Sequence, residues 1–121
     1  MSTKDKELGR KGEMLACEYL RKHGYNILRQ NYYFDHAEVD IVAEENGMLV
    51  FVEVKTRVSA YLSDPSLLVP VKKQKQIIKA ADEYVKTEFP EKEGRFDIMI
   101  VITNEQYTSI EHIVDAFYPM V

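Results

Sequence analysis

The fold is decided by residues 38–55, which read EVDIVAEENGMLVFVEVK. Two apolar runs rich in β-branched residues flank Asn46-Gly47, a dipeptide strongly typical of two-residue hairpin turns. Such a turn makes Glu45 face Met48 and fixes every pairing beyond them. We therefore predict an antiparallel hairpin around which the rest of the chain is arranged.

The predicted register has a chemical consequence on one face of the hairpin. Asp40 lies opposite Glu53, and Glu38 lies opposite Lys55. Because side chains alternate along a strand, these four share one face, and the other face carries a core set: Val39, Ile41, Ala43, Val50, Val52 and Val54. Like charges on directly opposed positions are destabilising. A divalent cation between Asp40 and Glu53 would remove that penalty, since hard cations take carboxylate oxygens as ligands.

A simpler interpretation of the same charges stands beside this one. Charged residues on the outer face of a half-exposed strand are ordinary, and Glu38–Lys55 would then be a surface ion pair worth about 0–1 kcal/mol. The register is a second open question. A three-residue loop would shift the pairing by one residue and put Asp40 and Glu53 on different faces.

Length and composition indicate one globular domain over residues 1–121. Hydrophobic residues make up 45% of the chain and charged residues 30%, which is not the composition of a disordered chain. The single cysteine, Cys17, cannot form an internal disulfide, and we expect a buried thiol in a reducing compartment. Without a run of transmembrane length or a signal-peptide pattern, we expect the protein in the cytoplasm, with no membrane partner.

The net charge of −4 is not typical of a nucleic-acid binder, but the charges are distributed unevenly. Residues 1–12 carry four basic and two acidic side chains, and residues 55–79 carry six basic side chains against one acidic. Such polarity can steer a polyanion to one side of a protein despite an unfavourable total. The alternative is that these lysines only solvate exposed helix faces.

Hydrophobic periodicity and turn residues divide the chain into seven predicted elements. Helices are expected over residues 5–23 and 71–88, strands over 25–33, within the hairpin, and over 95–103 and 109–117, and a long loop over 58–70. The last segment also fits a helical pattern. The order α-β-β-β-α-β-β predicts an α/β sandwich, in which helices flank a mixed sheet with the antiparallel hairpin at its centre.

Two glycines and one glutamate stand out in the first predicted helix. Gly9 and Gly12 weaken a helix, so they indicate either the close approach of another segment or a later helix start. Glu13 lies off the apolar stripe, and on its own it is typical of a solvent-exposed helix residue.

Three short motifs resemble those of the PD-(D/E)xK nuclease superfamily. They are Gly12-Glu13, Glu38-Val39-Asp40-Ile41 and Val52-Glu53-Val54-Lys55. The pattern is most similar to the archaeal Holliday-junction-resolvase-like branch, and residues 8–118 as a whole resemble the YraN-like bacterial family. The resemblance implies a restriction-endonuclease-like sandwich. Val39 stands where the superfamily's name has proline, and Ala37 stands where a small residue, often glycine, is expected.

The resemblance also implies a role for each matching residue. Asp40 and Glu53 would be ligands of Mg²⁺ or Mn²⁺, and Lys55 would contact the scissile phosphate or the attacking water. Glu13 would complete the acidic site from the first helix. Lys73 matches a basic position at the start of the second helix that would face nucleic acid. The side chains that would hold the nucleic-acid backbone are thus Arg57, Lys72, Lys73 and Lys75.

Taken together, these roles favour a Mg²⁺-dependent endonuclease that hydrolyses phosphodiester bonds in branched or structured DNA. Lysine and arginine contacts to phosphates carry no sequence information, so we expect recognition of nucleic-acid shape. A four-way junction has two-fold symmetry, which a homodimer would match. Two other functions remain open: a non-catalytic nucleic-acid-binding module on the same fold, and a protein-interaction domain.

Overall fold

Two helices and five strands follow one another in the predicted order. A computed structural model describes residues 3–59 and 69–119. The elements are α1 (Thr3–Lys22), β1 (Asn26–Phe34), β2 (Ala37–Glu45), β3 (Met48–Arg57), α2 (Val71–Glu88), β4 (Gly94–Thr103) and β5 (Thr108–Phe117). The bounds of α2 are those predicted, whereas the loop expected over 58–70 lies, except at its ends, outside the described residues. The last segment is a strand, so the helical alternative is wrong.

The sheet is mixed, and its strands lie in the order β1-β2-β3-β4-β5. Strands β3 and β4 are parallel, and the other neighbouring pairs are antiparallel. A parallel pair needs a long crossover connection, and α2 lies in the segment that joins β3 to β4. The predicted hairpin, β2 and β3, therefore occupies the interior of the sheet, which confirms the predicted architecture.

The register of the hairpin is the one predicted for a two-residue loop. Glu45 pairs with Met48, and the ladder continues in step to Ile41 and Val52. Asn46 and Gly47 both have positive φ, at 51° and 80°, as this turn requires. The alternative three-residue loop is therefore wrong.

The ladder between β2 and β3 does not extend to the two charged pairs that we predicted. The last paired residues of this ladder are Ile41 and Val52. Beyond them, Oδ2 of Asp40 accepts a hydrogen bond from the Val54 N–H at 2.8 Å. A side chain thus takes the place of a main-chain acceptor. The prediction that Asp40–Glu53 and Glu38–Lys55 are ladder partners is wrong, because β2 and β3 separate here, whereas the ladder between β3 and β4 continues past Lys55 to Arg57.

The separation of the strands also changes which face one core residue occupies. Val39 packs in the same cluster as Val42 and Phe51, whereas Ile41 belongs to the opposite cluster. Strict alternation would have placed Val39 with Ile41, as we predicted. The alternation is therefore interrupted around Asp40.

Both faces of the sheet are covered, each by one helix. The α1 face buries Ala16, Cys17 and Leu20 against residues of the three central strands: Ile41, Ala43, Val50, Val52, Met99 and Val101. The α2 face buries Ile77, Ala80, Ala81 and Tyr84 against the alternate strand residues: Val42, Leu49, Phe51, Phe96, Ile98 and Ile100. The burial of Cys17 and the two-sided burial of β4 are as expected.

Gly12 permits the close approach that was one of its two interpretations. A Cβ at this position would overlap the side chain of Thr56 on β3, whereas a Cβ at Gly9 would meet nothing within 4 Å. Because α1 begins at Thr3, the alternative of a later helix start is wrong. Neither α1 nor α2, the helices of the described residues, combines the length and apolarity that crossing a bilayer requires.

Candidate functional site

Two carboxyl groups meet at the point where β2 and β3 separate. Asp40 and Glu53 are buried, with 7% and 2% of their surfaces exposed, and their carboxyl groups lie within hydrogen-bonding range of each other. The Val54 N–H holds one oxygen of Asp40. The structure therefore brings the predicted pair together, although not by the ladder pairing that motivated the prediction.

Burial and the neighbouring charge change the ionisation of this pair. Burial first, and then the Glu53 carboxylate, raise the pKa of Asp40 to about 9, and the Val54 N–H opposes the rise only in part. At neutral pH Asp40 is therefore protonated and can donate to Glu53. In the protein alone, a proton shared by the two carboxyl groups can relieve the repulsion that a cation between them would also relieve.

Two lysines add positive charge to the same carboxylate. Lys55 Nζ lies 3.5 Å from Oε2 of Glu53, and Lys73 Nζ makes a closer ion pair with that oxygen. Burial, which the Glu53 charge offsets in part, lowers the pKa of Lys55. Burial is the largest influence on Lys73 and would lower its pKa too, but its hydrogen bond to Glu53 and the neighbouring carboxylate charges together raise that pKa. Lysines from β3 and α2 thus meet at one oxygen.

Glu13 approaches the pair from α1. Its Oε1 accepts a hydrogen bond from Asn31 Nδ2 at 3.0 Å. Burial raises the pKa of Glu13, the charges of Glu38 and Glu53 add to the rise, and the bond from Asn31 opposes it. The side chain is half-buried rather than freely exposed, so its interpretation as an ordinary solvent-exposed residue does not describe it.

A cleft adjoins these side chains between α1 and the end of β3. It has a volume of about 330 Å³ and is lined by Asp5, Leu8, Gly9, Glu13, Val54, Lys55, Thr56 and Arg57. Arg57 Nη1 donates to the Thr56 carbonyl at 2.8 Å, which holds the guanidinium at this end of the strand. Glu13 and the two cations of β3 therefore face one opening.

The remaining predicted basic residues are placed differently from one another. Lys72 is exposed in the first turn of α2. Lys75 lies two residues beyond Lys73, on nearly the opposite side of the helix, and lines a groove with Tyr118 and Pro119. The structure brings Glu13, Asp40, Glu53, Lys55 and Lys73 together, with Arg57 on the adjoining cleft, but it does not bring Lys75 to them.

The donor set at the carboxyl pair suits a hard cation. Mg²⁺ is usually held by one or two carboxylates, and it keeps several waters or takes substrate phosphate oxygens. Asp40 and Glu53 supply such a pair. Within residues 3–59 and 69–119, however, no three His, Cys, Asp or Glu side chains are grouped so that they could hold a metal ion. The two carboxyl groups would therefore need further oxygen ligands, such as water, main-chain carbonyls or substrate, to complete the coordination of an ion.

Asn31 contributes to the site and was missed by our sequence reasoning. It lies within β1 at a φ of 54°, a left-handed conformation that asparagine tolerates better than most residues. From there its amide reaches Glu13. An asparagine inside a predicted strand was the available signal, since asparagine is depleted in strands.

A second buried polar cluster, also missed, surrounds Asp97 on β4. Its carboxylate accepts hydrogen bonds from Arg95 at 2.9 and 2.8 Å, from His112 Nε2 at 2.7 Å and from the Asp115 N–H at 3.0 Å. Arg95 also donates to the Tyr25 hydroxyl at 2.8 Å. Burial alone would raise the pKa of Asp97, but these partners lower it. With its acceptors satisfied in this way, the cluster is structural.

Comparisons with known proteins agree on the family. A model described as "Uncharacterised protein family UPF0102" matches residues 12–101. A UPF0102 protein of Christiangramia forsetii is 46% identical over 112 residues, covering 93% of this chain and 94% of that protein. One of Geobacter metallireducens is 44% identical over 118 residues, covering 97% of each. The resemblance to the YraN-like family is thereby confirmed. A crystal structure of an XisH family protein from Nostoc punctiforme covers 84% of this chain and 98% of its own, at 14% identity and a TM-score of 0.43, a likeness too weak to carry an argument.

Proposed function

Since the chain belongs to the uncharacterised protein family UPF0102, whose name assigns no chemistry, we propose a function from the site itself. The protein is a divalent-metal-dependent nuclease that hydrolyses phosphodiester bonds in branched or structured DNA. The observation that carries this proposal is the meeting of two buried carboxyl groups, Asp40 and Glu53, with the Lys55 ammonium beside them.

Asp40 and Glu53 are the residues that would hold Mg²⁺ or Mn²⁺. Such an ion, when bound, lowers the pKa of a coordinated water and neutralises charge on the phosphate. The carboxyl groups would have to give up their shared proton, so binding of the ion releases it. The Val54 N–H donates to Oδ2 of Asp40, and this bond from the backbone fixes the orientation of the carboxyl group.

Lys55 is suited to the reacting phosphate. Its side chain is 18% exposed, so the ammonium lies at the surface of the site rather than free in water. Its lowered pKa follows mainly from burial, and a poorly solvated ammonium gains more from an anionic oxygen than a solvated one does. It can hold a non-bridging phosphate oxygen or orient the attacking water, while Glu13 completes the acidic side of the opening.

Lysine and arginine side chains near the site support a nucleic-acid substrate. Arg57 lines the cleft beside Lys55, and Lys72 is exposed on the helix that carries Lys73. Such contacts make affinity depend on salt and read the backbone rather than the bases, which favours recognition of branched structure. A homodimer would match the symmetry of a four-way junction. The reduced thiol of Cys17 is compatible with the cytoplasm, where we expect the protein to act.

The test is cleavage of linear duplex, single-stranded and four-way-junction DNA, and of matched RNA, in Mg²⁺, Mn²⁺ or EDTA. We expect metal-dependent cleavage that falls on the order of 100-fold or more in Asp40→Asn and in Lys55→Ala. Lys86→Ala is the matched control, because Lys86 pairs only with Asp82 near the far end of α2 among the described residues. Cleavage that is absent in the parent on every substrate, or undiminished in both variants, contradicts the proposal.

A second candidate function is favoured by one specific observation. Lys73 forms an ion pair with Glu53, and the raised pKa of Asp40 disfavours its carboxylate form, so a cation would have to compete with both in the protein alone. This arrangement also suits a non-catalytic module that binds structured nucleic acid through its lysines. Salt-sensitive binding of junction DNA that is indifferent to Asp40→Asn, with no cleavage by the parent, would favour the module over the enzyme.

A further inference from the structure

One contact of the site stands out because a cation has to compete with it. Lys73, in the first turn of α2, places its ammonium against Oε2 of Glu53. Glu53 itself is 2% exposed, so few groups can reach that oxygen. An ion bound by Oε2 of Glu53 and the Lys73 ammonium cannot occupy the same position. Binding of an ion through this oxygen therefore requires that Lys73 leave.

Lys73 is the lysine that is able to leave. Its side chain is 42% exposed and reaches the site from a helix, whereas Lys55 is 18% exposed and lies on an interior strand. A lysine side chain with four rotatable bonds can turn outward without moving the backbone. Once outside, its ammonium would lie near the start of α2, where the exposed Lys72 also presents positive charge.

The anion best suited to receive that ammonium is a nucleic-acid phosphate. A lysine ammonium binds phosphate as a point charge, and the neighbouring cations Lys55 and Arg57 line the adjoining cleft. A phosphodiester in this position offers Lys73 a partner to replace Glu53. The same event frees Glu53 for the ion, so one side chain connects the two binding steps.

We propose that Lys73 closes the cation site in the free protein, and that a phosphodiester backbone opens it by taking over the Lys73 ammonium. Divalent cation and nucleic acid therefore bind cooperatively, each strengthening the other. This inference rests on the proposed function, because it assigns a mode of regulation to the same site. Coupling between two sites is reciprocal, so the factor by which DNA raises cation affinity equals the factor by which the cation raises DNA affinity.

The experiment measures Mn²⁺ affinity by isothermal titration calorimetry, without and with a four-way junction whose phosphorothioate linkages resist hydrolysis. The variants are Lys73→Met, which keeps the length of the side chain and removes its charge, and Lys86→Met as a control with the same change of net charge. Thermal unfolding of each variant establishes that it is folded, and Lys73→Gln replaces Lys73→Met if the latter is not.

We expect Lys73→Met to bind Mn²⁺ about 5- to 150-fold more tightly than the parent in the absence of DNA, the range usual for coupled sites. The junction should raise the Mn²⁺ affinity of the parent and of Lys86→Met by a similar factor, and that of Lys73→Met far less. Equal Mn²⁺ affinity in the parent and in the folded Lys73 variant overturns the inference, and so does a parent whose Mn²⁺ affinity the junction does not change.

The outcomes also separate this inference from the nuclease proposal. Metal-dependent cleavage by the parent with no effect of Lys73 on Mn²⁺ affinity rejects the inference and keeps the nuclease. Tighter Mn²⁺ binding by Lys73→Met in a protein that neither binds nor cleaves nucleic acid keeps the closure by Lys73 but rejects both the opening by phosphate and the nuclease. If none of the proteins binds Mn²⁺, both proposals are contradicted.

Discussion

At the scale of single residues, Asp40 carries the clearest sign of function. A buried carboxyl group beside a second one is unfavourable, and here a proton and two lysines compensate for it. A neutral side chain at position 40 would avoid this repulsion. Residues that lower stability in this way are typical of functional sites, where activity and stability make opposite demands. The stability of the protein should therefore respond to the charge of Asp40.

We predict that Asp40→Asn is increasingly more stable than the parent as pH rises. The pKa of Asp40 is higher in the folded protein than its ordinary value of 3.8. The contribution of Asp40 to the unfolding free energy is therefore fully present below pH 3.8 and is lost as pH rises to about 9. The loss is at most about 1.4 kcal/mol per pH unit, the slope for one proton. Asparagine can still accept from the Val54 N–H and donate to Glu53.

Urea unfolding at pH 5, 7 and 9 measures this difference in unfolding free energy. Asp82→Asn is the control, since Asp82 is an exposed carboxylate paired with Lys86 and its replacement should change stability little at any of these pH values. A constant difference between Asp40→Asn and the parent from pH 5 to 9 would show that Asp40 does not titrate as described.

At the scale of elements, the sequence predicted the hairpin well up to the site and failed at the site itself. Asn46-Gly47 fixes the pairing from Glu45 and Met48 to Ile41 and Val52, because turn geometry sets register. Beyond that point the carboxylate of Asp40 replaces a main-chain acceptor and the strands separate. The rule that side chains alternate between faces assumes an unbroken ladder. It could therefore predict neither the face that Val39 occupies nor the meeting of the two carboxyl groups beyond the end of the ladder.

Contact between α1 and β3 depends on Gly12, and two glycine substitutions should have opposite effects. Gly12→Ala places a methyl group into the side chain of Thr56, and we expect a loss of about 1–3 kcal/mol of unfolding free energy. Gly9→Ala meets nothing within 4 Å and should gain up to about 1 kcal/mol from helix propensity. Urea unfolding measures both.

The background variant Thr56→Ala tests the cause of the Gly12 effect. Removing the hydroxyl and methyl groups of Thr56 should recover part of the loss caused by Gly12→Ala, because the Cβ of residue 56 remains close. A loss of the same size in both backgrounds would mean that something other than this contact makes glycine necessary at position 12.

At the scale of the whole molecule, the site depends on contacts that only the assembled fold creates. Asp40, Glu53 and Lys55 were found in the sequence because all three lie on one hairpin, where local rules apply. Lys73 reaches Glu53 only because α2 crosses between two parallel strands and packs against the sheet. The motif resemblance placed Lys73 toward nucleic acid, but no spacing rule predicts which carboxylate a crossover helix approaches.

The Asp97 cluster joins β4 and β5 to the segment before β1, and it should matter for stability across the fold. We predict that Asp97→Ala loses about 3–5 kcal/mol, because Arg95 and His112 lose their shared partner. The pKa of Asp97 is lower in the folded protein than its ordinary value of 3.8. The contribution of Asp97 to the unfolding free energy is therefore fully present above pH 3.8 and is lost as pH falls through the lower folded-state pKa.

Thermal and urea unfolding between pH 7 and 2 measure this contribution. The difference between the parent and Asp97→Ala should be large at pH 7 and should shrink in acid. A loss below about 1 kcal/mol at pH 7 would show that the cluster is not the structural connection described here.

The most direct test of the site is the position of Mn²⁺ in crystals of the protein soaked at saturating concentration, read from anomalous diffraction. We predict one strong peak ligated by carboxylate oxygens of both Asp40 and Glu53, with the Lys73 ammonium moved away from Glu53. A map with no peak between these two residues, or with the ion bound elsewhere while Lys73 stays on Glu53, would contradict the account.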